Sequence, residues 1–273
     1  MRRRLLLNSF LFALVIALAL FIYFKPQPVA APELKLSTLM PAAAAEITLE
    51  KPGQPALTLR KKNSQWRIIT PFQARADSAK VEGLLSILTA SGTQRLEAAG
   101  LARFELDKPR LRLTINQQSF SFGMLNPLSH EQYIATQNAV YLISARYFAM
   151  ASAPPGNLAS KQLFATDEVP IGFQFGKSRL ALTDGKWNVL PAQPNSSQDQ
   201  LNQWADEWRH AASLAGTAYS GQASVAEFNI QLSNGKNILI KILQHEPELI
   251  LLRSDENREY YFSAETAKRL LIF

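Results

Sequence analysis

Residues Leu57–Ser91 read LTLRKKNSQWRIITPFQARADSAKVEGLLSILTAS, and residues Leu180–Ala215 read LALTDGKWNVLPAQPNSSQDQLNQWADEWRHAASLA. Each stretch is a strand, a turn, a second strand carrying one Trp, a Pro-containing loop and an amphipathic helix. Trp66 aligns with Trp187, and both read as core. Asp77 aligns with Ser197, each placed to cap the helix that follows. Val81, Leu84, Leu85 and Leu88 align with Leu201, Trp204, Ala205 and Trp208. Their spacing of i, i+3, i+4 and i+7 is the apolar stripe of a half-buried helix. Ser197 is followed three residues on by Gln200, a capping-box spacing that the first copy, with Lys80 there, lacks.

The repetition continues downstream. RLRLTINQQSFSF resembles FNIQLSNGKNILI, QYIAT resembles LILLR, and VYLIS resembles YYFSA. Two long copies point to a duplicated domain and not to a solenoid, which needs several short ones. Asp184-Gly185 and Asn234-Gly235 read as hairpin turns. The main helices are expected from Asp77 to about Gly92 and over Gln198–Ala215, with short ones over Ala145–Ala151 and Ala264–Leu271. Ala153-Pro154-Pro155-Gly156 is the best boundary. The expected division is 1–45 for a cytoplasmic tip, transmembrane anchor and linker, 46–152 for a first repeat unit and 153–273 for a second. The expected fold class is α+β: an N-terminal transmembrane helix followed by two tandem units, each an antiparallel sheet with one main helix.

The anchor is read from MRRR followed by the apolar run Leu5–Phe24. At ~1.5 Å per residue, about 20 residues span a hydrocarbon core of ~30 Å. A cleavable signal peptide, cut after Val29-Ala30-Ala31, is the competing reading, but its apolar region is usually only about 7–15 residues. Arg2, Arg3 and Arg4 would hold the N-terminus in the cytoplasm. The expected location is therefore the inner membrane, single-pass, with the bulk of the chain periplasmic.

The net charge of +7 is no nucleic-acid signal. Arg2, Arg3, Arg4 and Lys25 account for four of the 29 basic residues and leave 25 against 22 acidic ones. A nucleic-acid groove needs clustering on one face, and outside the N-terminal arginines the only run of three basic residues is Arg60-Lys61-Lys62, at a hairpin tip. The absence of cysteine excludes disulfides, thiolate catalysis, Cys-based zinc sites and a lipoprotein anchor.

Four motifs carry a family resemblance: WRIITP at Trp66–Pro71, ADSAKVEGLLSIL at Ala76–Leu88, LDKPRLRLTI at Leu106–Ile115 and VYL at Val140–Leu142. In them the chain resembles an uncharacterised bacterial family of membrane-anchored envelope proteins, sometimes encoded beside gliding-type ABC-2 transporters and their auxiliary subunits. The resemblance covers Glu46–Phe148, with the second half as a divergent copy. Glu105 stands where the family often has Gly. The family has no established catalytic residues, so the resemblance implies none here.

Candidates for chemistry are few. His130, His210 and His245 are the only histidines, and none has a metal-ligand spacing such as HExxH. His130 and His245 occupy equivalent loops of the two copies, which leaves their convergence open. No nucleophile elbow, P-loop or dinucleotide fingerprint is present. Asp206-Glu207 point away from the apolar stripe of their helix. Trp204 and Trp208 share one helix face; they read as core or as an exposed aromatic platform for a partner. No cofactor, metal or nucleic acid is expected. The expected function is a non-enzymatic, membrane-anchored periplasmic accessory module of an envelope or transport complex, with a protein partner. The alternative is an envelope hydrolase or glycan-binding protein.

Overall fold

A computed structural model describes residues 2–24, 34–191 and 197–271, with the side chains of 8–21 and Tyr23 in the first helix. The chain forms two compact units, Met1–Glu33 and Leu34–Phe273. The first is helix α1 (Arg2–Phe24), whose described side chains, Phe10, Phe12 and Phe21 among them, are exposed. The side chains of Arg2, Arg3 and Arg4, and the linker 25–33 with its Val29-Ala30-Ala31 reading, lie outside the described residues.

In the second unit the elements run β1 (Leu34–Lys35), β2 (Glu46–Glu50), β3 (Leu57–Lys62), β4 (Gln65–Thr70), β5 (Ala74–Arg75), α2 (Ser78–Leu85), β6 (Ser91–Gly92), β7 (Gln94–Leu96), β8 (Leu111–Ile115), β9 (Gln118–Leu125), β10 (Glu131–Ala135), β11 (Val140–Ser144) and α3 (Arg146–Ser152). They continue as β12 (Pro170–Phe175), β13 (Ser178–Thr183), β14 (Lys186–Leu190), α4 (Gln198–Arg209), β15 (Ala215–Ala218), β16 (Ala226–Leu232), β17 (Asn237–Gln244), β18 (Leu249–Arg253), β19 (Arg258–Phe262) and α5 (Ala264–Leu271). One large sheet has the order β5-β4-β3-β2-β8-β9-β10-β11-β7, the other β14-β13-β12-β16-β17-β18-β19-β15, and β1 pairs with β6 in a third. From β4 and β14 onward the two orders correspond strand by strand, and the pairings within both are antiparallel.

Two expectations are corrected. The α+β reading gives way to a mainly β chain: among the described residues, 19 strands stand against five helices. Two helices are shorter than expected. α2 stops at Leu85 and tightens into a 3-10 turn, and α4 stops at Arg209, after which the chain turns into strand β15. The transmembrane anchor is the second correction. Among the described residues no helix is long and apolar enough to cross a membrane. The single-pass inner-membrane location with a periplasmic bulk falls with it.

Local chemistry explains the elements. Asn63-Ser64 and Asp184-Gly185 take positive φ in the two-residue turns that close β3–β4 and β13–β14, as the strands' twist demands. Asp77 accepts from the Lys80 N–H, and Ser197 with Gln200 forms the reciprocal capping box. Glu105 adopts φ +56°, in the left-handed region where Gly is at ease. Each large sheet buries one face under helices. Val81, Leu84 and Leu85 of α2 close the first core, and Leu201, Trp204 and Trp208 of α4 close the second. The opposite faces are covered in part, by Phe104 and Leu106 on the first sheet and by Tyr219 on the second. Strands buried on both faces need not alternate, and β11 (VYLIS) and β18 (LILLR) are apolar almost throughout. Gly123 follows from the same layering: a Cβ there would lie 2.1 Å from the Phe104 carbonyl oxygen.

Candidate functional site

The segment after α3 stitches the two large sheets together. Ser160 N–H donates to Arg75 O on one side, and Asp77 N–H donates to Leu158 O. Three residues on, Leu163 N–H donates to Ala211 O and Ser213 N–H to Lys161 O. One short stretch thus pairs first with the edge of the first sheet and then with the strand-like segment after α4.

Charged side chains converge at this stitch. Arg75 of β5 is 7% exposed. Its Nε donates to Glu256 Oε1 at 2.5 Å, and its Nη2 donates to the carbonyls of Gln162 (2.7 Å) and Leu163 (3.0 Å) and to Tyr260 Oη (3.0 Å). Tyr260 in turn donates to Glu256 Oε2. Arg253, 1% exposed, forks onto Glu168 at 2.7 and 2.6 Å, onto Asp255 at 3.0 Å, and onto the same Leu163 carbonyl at 2.7 Å. Glu168 also accepts from Ala165 N–H. Bidentate geometry of this kind suits Arg and not Lys.

The electrostatics follow from burial and pairing. Burial alone would raise the Glu168 carboxyl, but the Arg253 guanidinium outweighs it and holds the group down at about 2. Burial pushes the Tyr260 phenol up to about 12, so it stays a hydrogen-bond donor. Burial acts to lower Arg75, yet Tyr260 and Glu256 prevail and raise it. At Arg258 burial outweighs the opposing pull of Tyr260 and Glu256. This residue is 2% exposed, its Nη2 donates to Gly216 O at 2.8 Å, and its Nε has no partner. Burial lowers its pKa, and its guanidinium lies 5.5 Å from the Phe72 ring centroid. Removing these partners would leave charge buried and uncompensated, so the network fixes how the two sheets meet.

A cleft of about 320 Å³ opens beside the network, lined in part by Trp66, Arg75, Asp77, Ser160, Lys161 and Gln162. Several of its polar groups are already engaged: Asp77 caps α2, Ser160 Oγ accepts from Gln162 N–H, and Arg75 is committed as above. Among the described residues no three His, Cys, Asp or Glu side chains are grouped to hold a metal.

The residues singled out in the sequence lie elsewhere. Trp204 and Trp208 are in the core, 4% and 0% exposed, and both indole N–H groups donate to Leu270 O at the end of α5. Phe173 and Phe228 pack against them, so neither presents a ring face to a partner. His130 and His245 are exposed in the β9–β10 and β17–β18 turns of separate sheets, and His210 caps the C-terminus of α4. Asp206 is exposed, while Glu207 accepts from Arg269 and ties α4 to α5. Arg75, Glu168, Arg253, Glu256 and Tyr260 were not among the candidates. Only Arg253 carried a local signal, a charged residue ending the apolar run LILLR.

The sheets' outer strands differ in how they finish. β5 is covered by the stitch, and β7 carries Arg95. β15 is Ala-Gly-Thr-Ala, mostly exposed, with Leu214 beside it 56% exposed. Gly216 must stay small because a Cβ there would lie 2.9 Å from an Arg258 guanidinium nitrogen.

Residues 66–214 match a protein-family model described as a domain of unknown function, DUF4340. No curated protein and no solved structure matches the chain.

Proposed function

From the premise that the chain belongs to the DUF4340 family, we propose that it works by binding and not by catalysis, holding an extended segment of a partner protein at the β15 edge. The observation that carries this reading is the β15 strand itself. It is the outermost strand of its sheet, uncharged, small in side chain and mostly exposed. Such an edge offers backbone donors and acceptors to an incoming strand, the Gly216 carbonyl excepted, which already accepts from Arg258. The buried charges support the same reading, since they are spent on one another at the junction. The setting belongs to the proposal as well: a transport complex, as the resemblance to proteins encoded beside ABC-2 transporters suggests.

The test is a photo-crosslinking residue placed at Thr217, with Lys236, exposed on the β16–β17 hairpin, as the control position. A single protein captured from Thr217 and not from Lys236 is the expected result. Equal capture from both positions, or none, would remove the reading. Loss of function on substituting His130, His245 or Asp206 with the fold intact would favour an enzyme instead.

A further inference from the structure

The strand β4 and its counterpart β14 are finished by different means. In the first sheet the Trp66 carbonyl accepts from Ala76 N–H at 2.9 Å, and β5 lies alongside β4 through Arg67–Arg75 and Ile68–Ala74. In the second sheet Trp187 N–H donates to Gln198 Oε1 at 3.1 Å, and Trp187 O accepts from Gln198 Nε2 at 2.6 Å. A primary carboxamide carries a donor and an acceptor side by side, as a peptide group does. The Gln198 side chain therefore closes on Trp187 the two-bond ring that a neighbouring strand would close. It does so from the first position of α4, which Ser197 and Gln200 fix in place.

We propose that Gln198 is an edge guard, and that its carboxamide keeps β14 from pairing with β14 of a second copy of this chain. A second copy is the occupant because an edge strand turned about a two-fold axis is its own antiparallel complement. Among the described residues β14 is also poorly defended otherwise. Its single charge is Lys186 at one end, and Leu190 at the other is 60% exposed. Unpaired edges of this kind template association unless something blocks them. A rigid side-chain amide would block this one without a charge.

Because the chain has no cysteine, Asn188→Cys, at the exposed centre of β14, supplies a lone thiol. The measurement is the yield of dimer linked by a short bismaleimide in the full chain, with and without Gln198→Ala. Gln198→Ala is expected to raise that yield about tenfold, since it frees a donor and an acceptor to pair across the axis. Adding Val189→Pro should abolish the gain. Val189 N–H faces the same way as Trp187 N–H, and proline has none to offer. Should Gln198→Ala fail to fold, Gln198→Glu keeps the acceptor but loses the donor and should raise the yield to a smaller extent. Unchanged yield in the folded variants, or a gain that survives Val189→Pro, would overturn the proposal.

Discussion

The β10–β11 and β18–β19 hairpins have the same strand lengths, the same antiparallel register and four-residue connections, yet opposite chemistry at the closing pair. Ala135 faces Val140 in the first, and Arg253 faces Arg258 in the second. Val140 closes a small apolar cluster with Phe104 and Leu106. Arg253 and its neighbours instead receive Arg75 from the other sheet. One scaffold can therefore end in a self-contained apolar tip or in a charged socket. The socket lies where the two halves must meet at a fixed angle. Directional, bidentate bonds set an angle more narrowly than an apolar contact of similar area.

The largest break in that comparison should come from Arg253→Met. It leaves Glu168 buried and unpaired, and loss of one partner from a buried pair costs about 3–5 kcal/mol. Urea unfolding should show that loss, and adding Glu168→Leu should recover most of it. A cost under ~1 kcal/mol would mean the socket is solvated.

A smaller effect is expected from acid. The folded-state value of Glu168 lies below its ordinary value of 4.5, so the stabilisation is present above that value and is lost as the pH falls toward about 2. A melting-temperature profile over that interval should drop more steeply for the parent than for Glu168→Gln. Parallel profiles would show that the carboxylate is not the titrating group.

The smallest contrast is at the caps. Ser197→Ala removes one half of a reciprocal box and Asp77→Ala a single acceptor. Each should cost about 1 kcal/mol by denaturation, with Ser197→Ala at the upper end of the ~0.5–2 range. A larger loss at Asp77 would assign that carboxylate a role beyond α2.

What could be read in the sequence follows the range of the physics involved. Turns and caps depend on a few adjacent residues, so Asp184-Gly185 and the Ser197–Gln200 box were visible, as were Trp66 and Trp187 as buried strand residues. The α+β expectation failed because Ala-rich residues after α4 have good helix propensity, while tertiary pairing with β19 draws Ala215–Ala218 into a strand. The expected helix ran on to Ala215 and no strand was expected over Ala215–Ala218, so the β15 edge was not read. The charge network was equally hidden. Arg75 and Glu256 are 181 residues apart and carry no local pattern. Trp204 and Trp208 were visible as a stripe, but whether a stripe faces core or solvent is settled only by what packs on it.

The claim that binding occurs at β15 is tested most directly by Ala218→Pro. The pairing of Tyr219 N–H with Asn257 O sets the alternation that turns the Ala218 N–H outward, so proline removes a donor from the open edge and leaves the ladder to β19 intact. The measurement is affinity for the protein captured through Thr217, alongside the melting temperature of the variant. The account predicts binding lost with melting unchanged. Binding retained at parental affinity in a folded Ala218→Pro chain would contradict it.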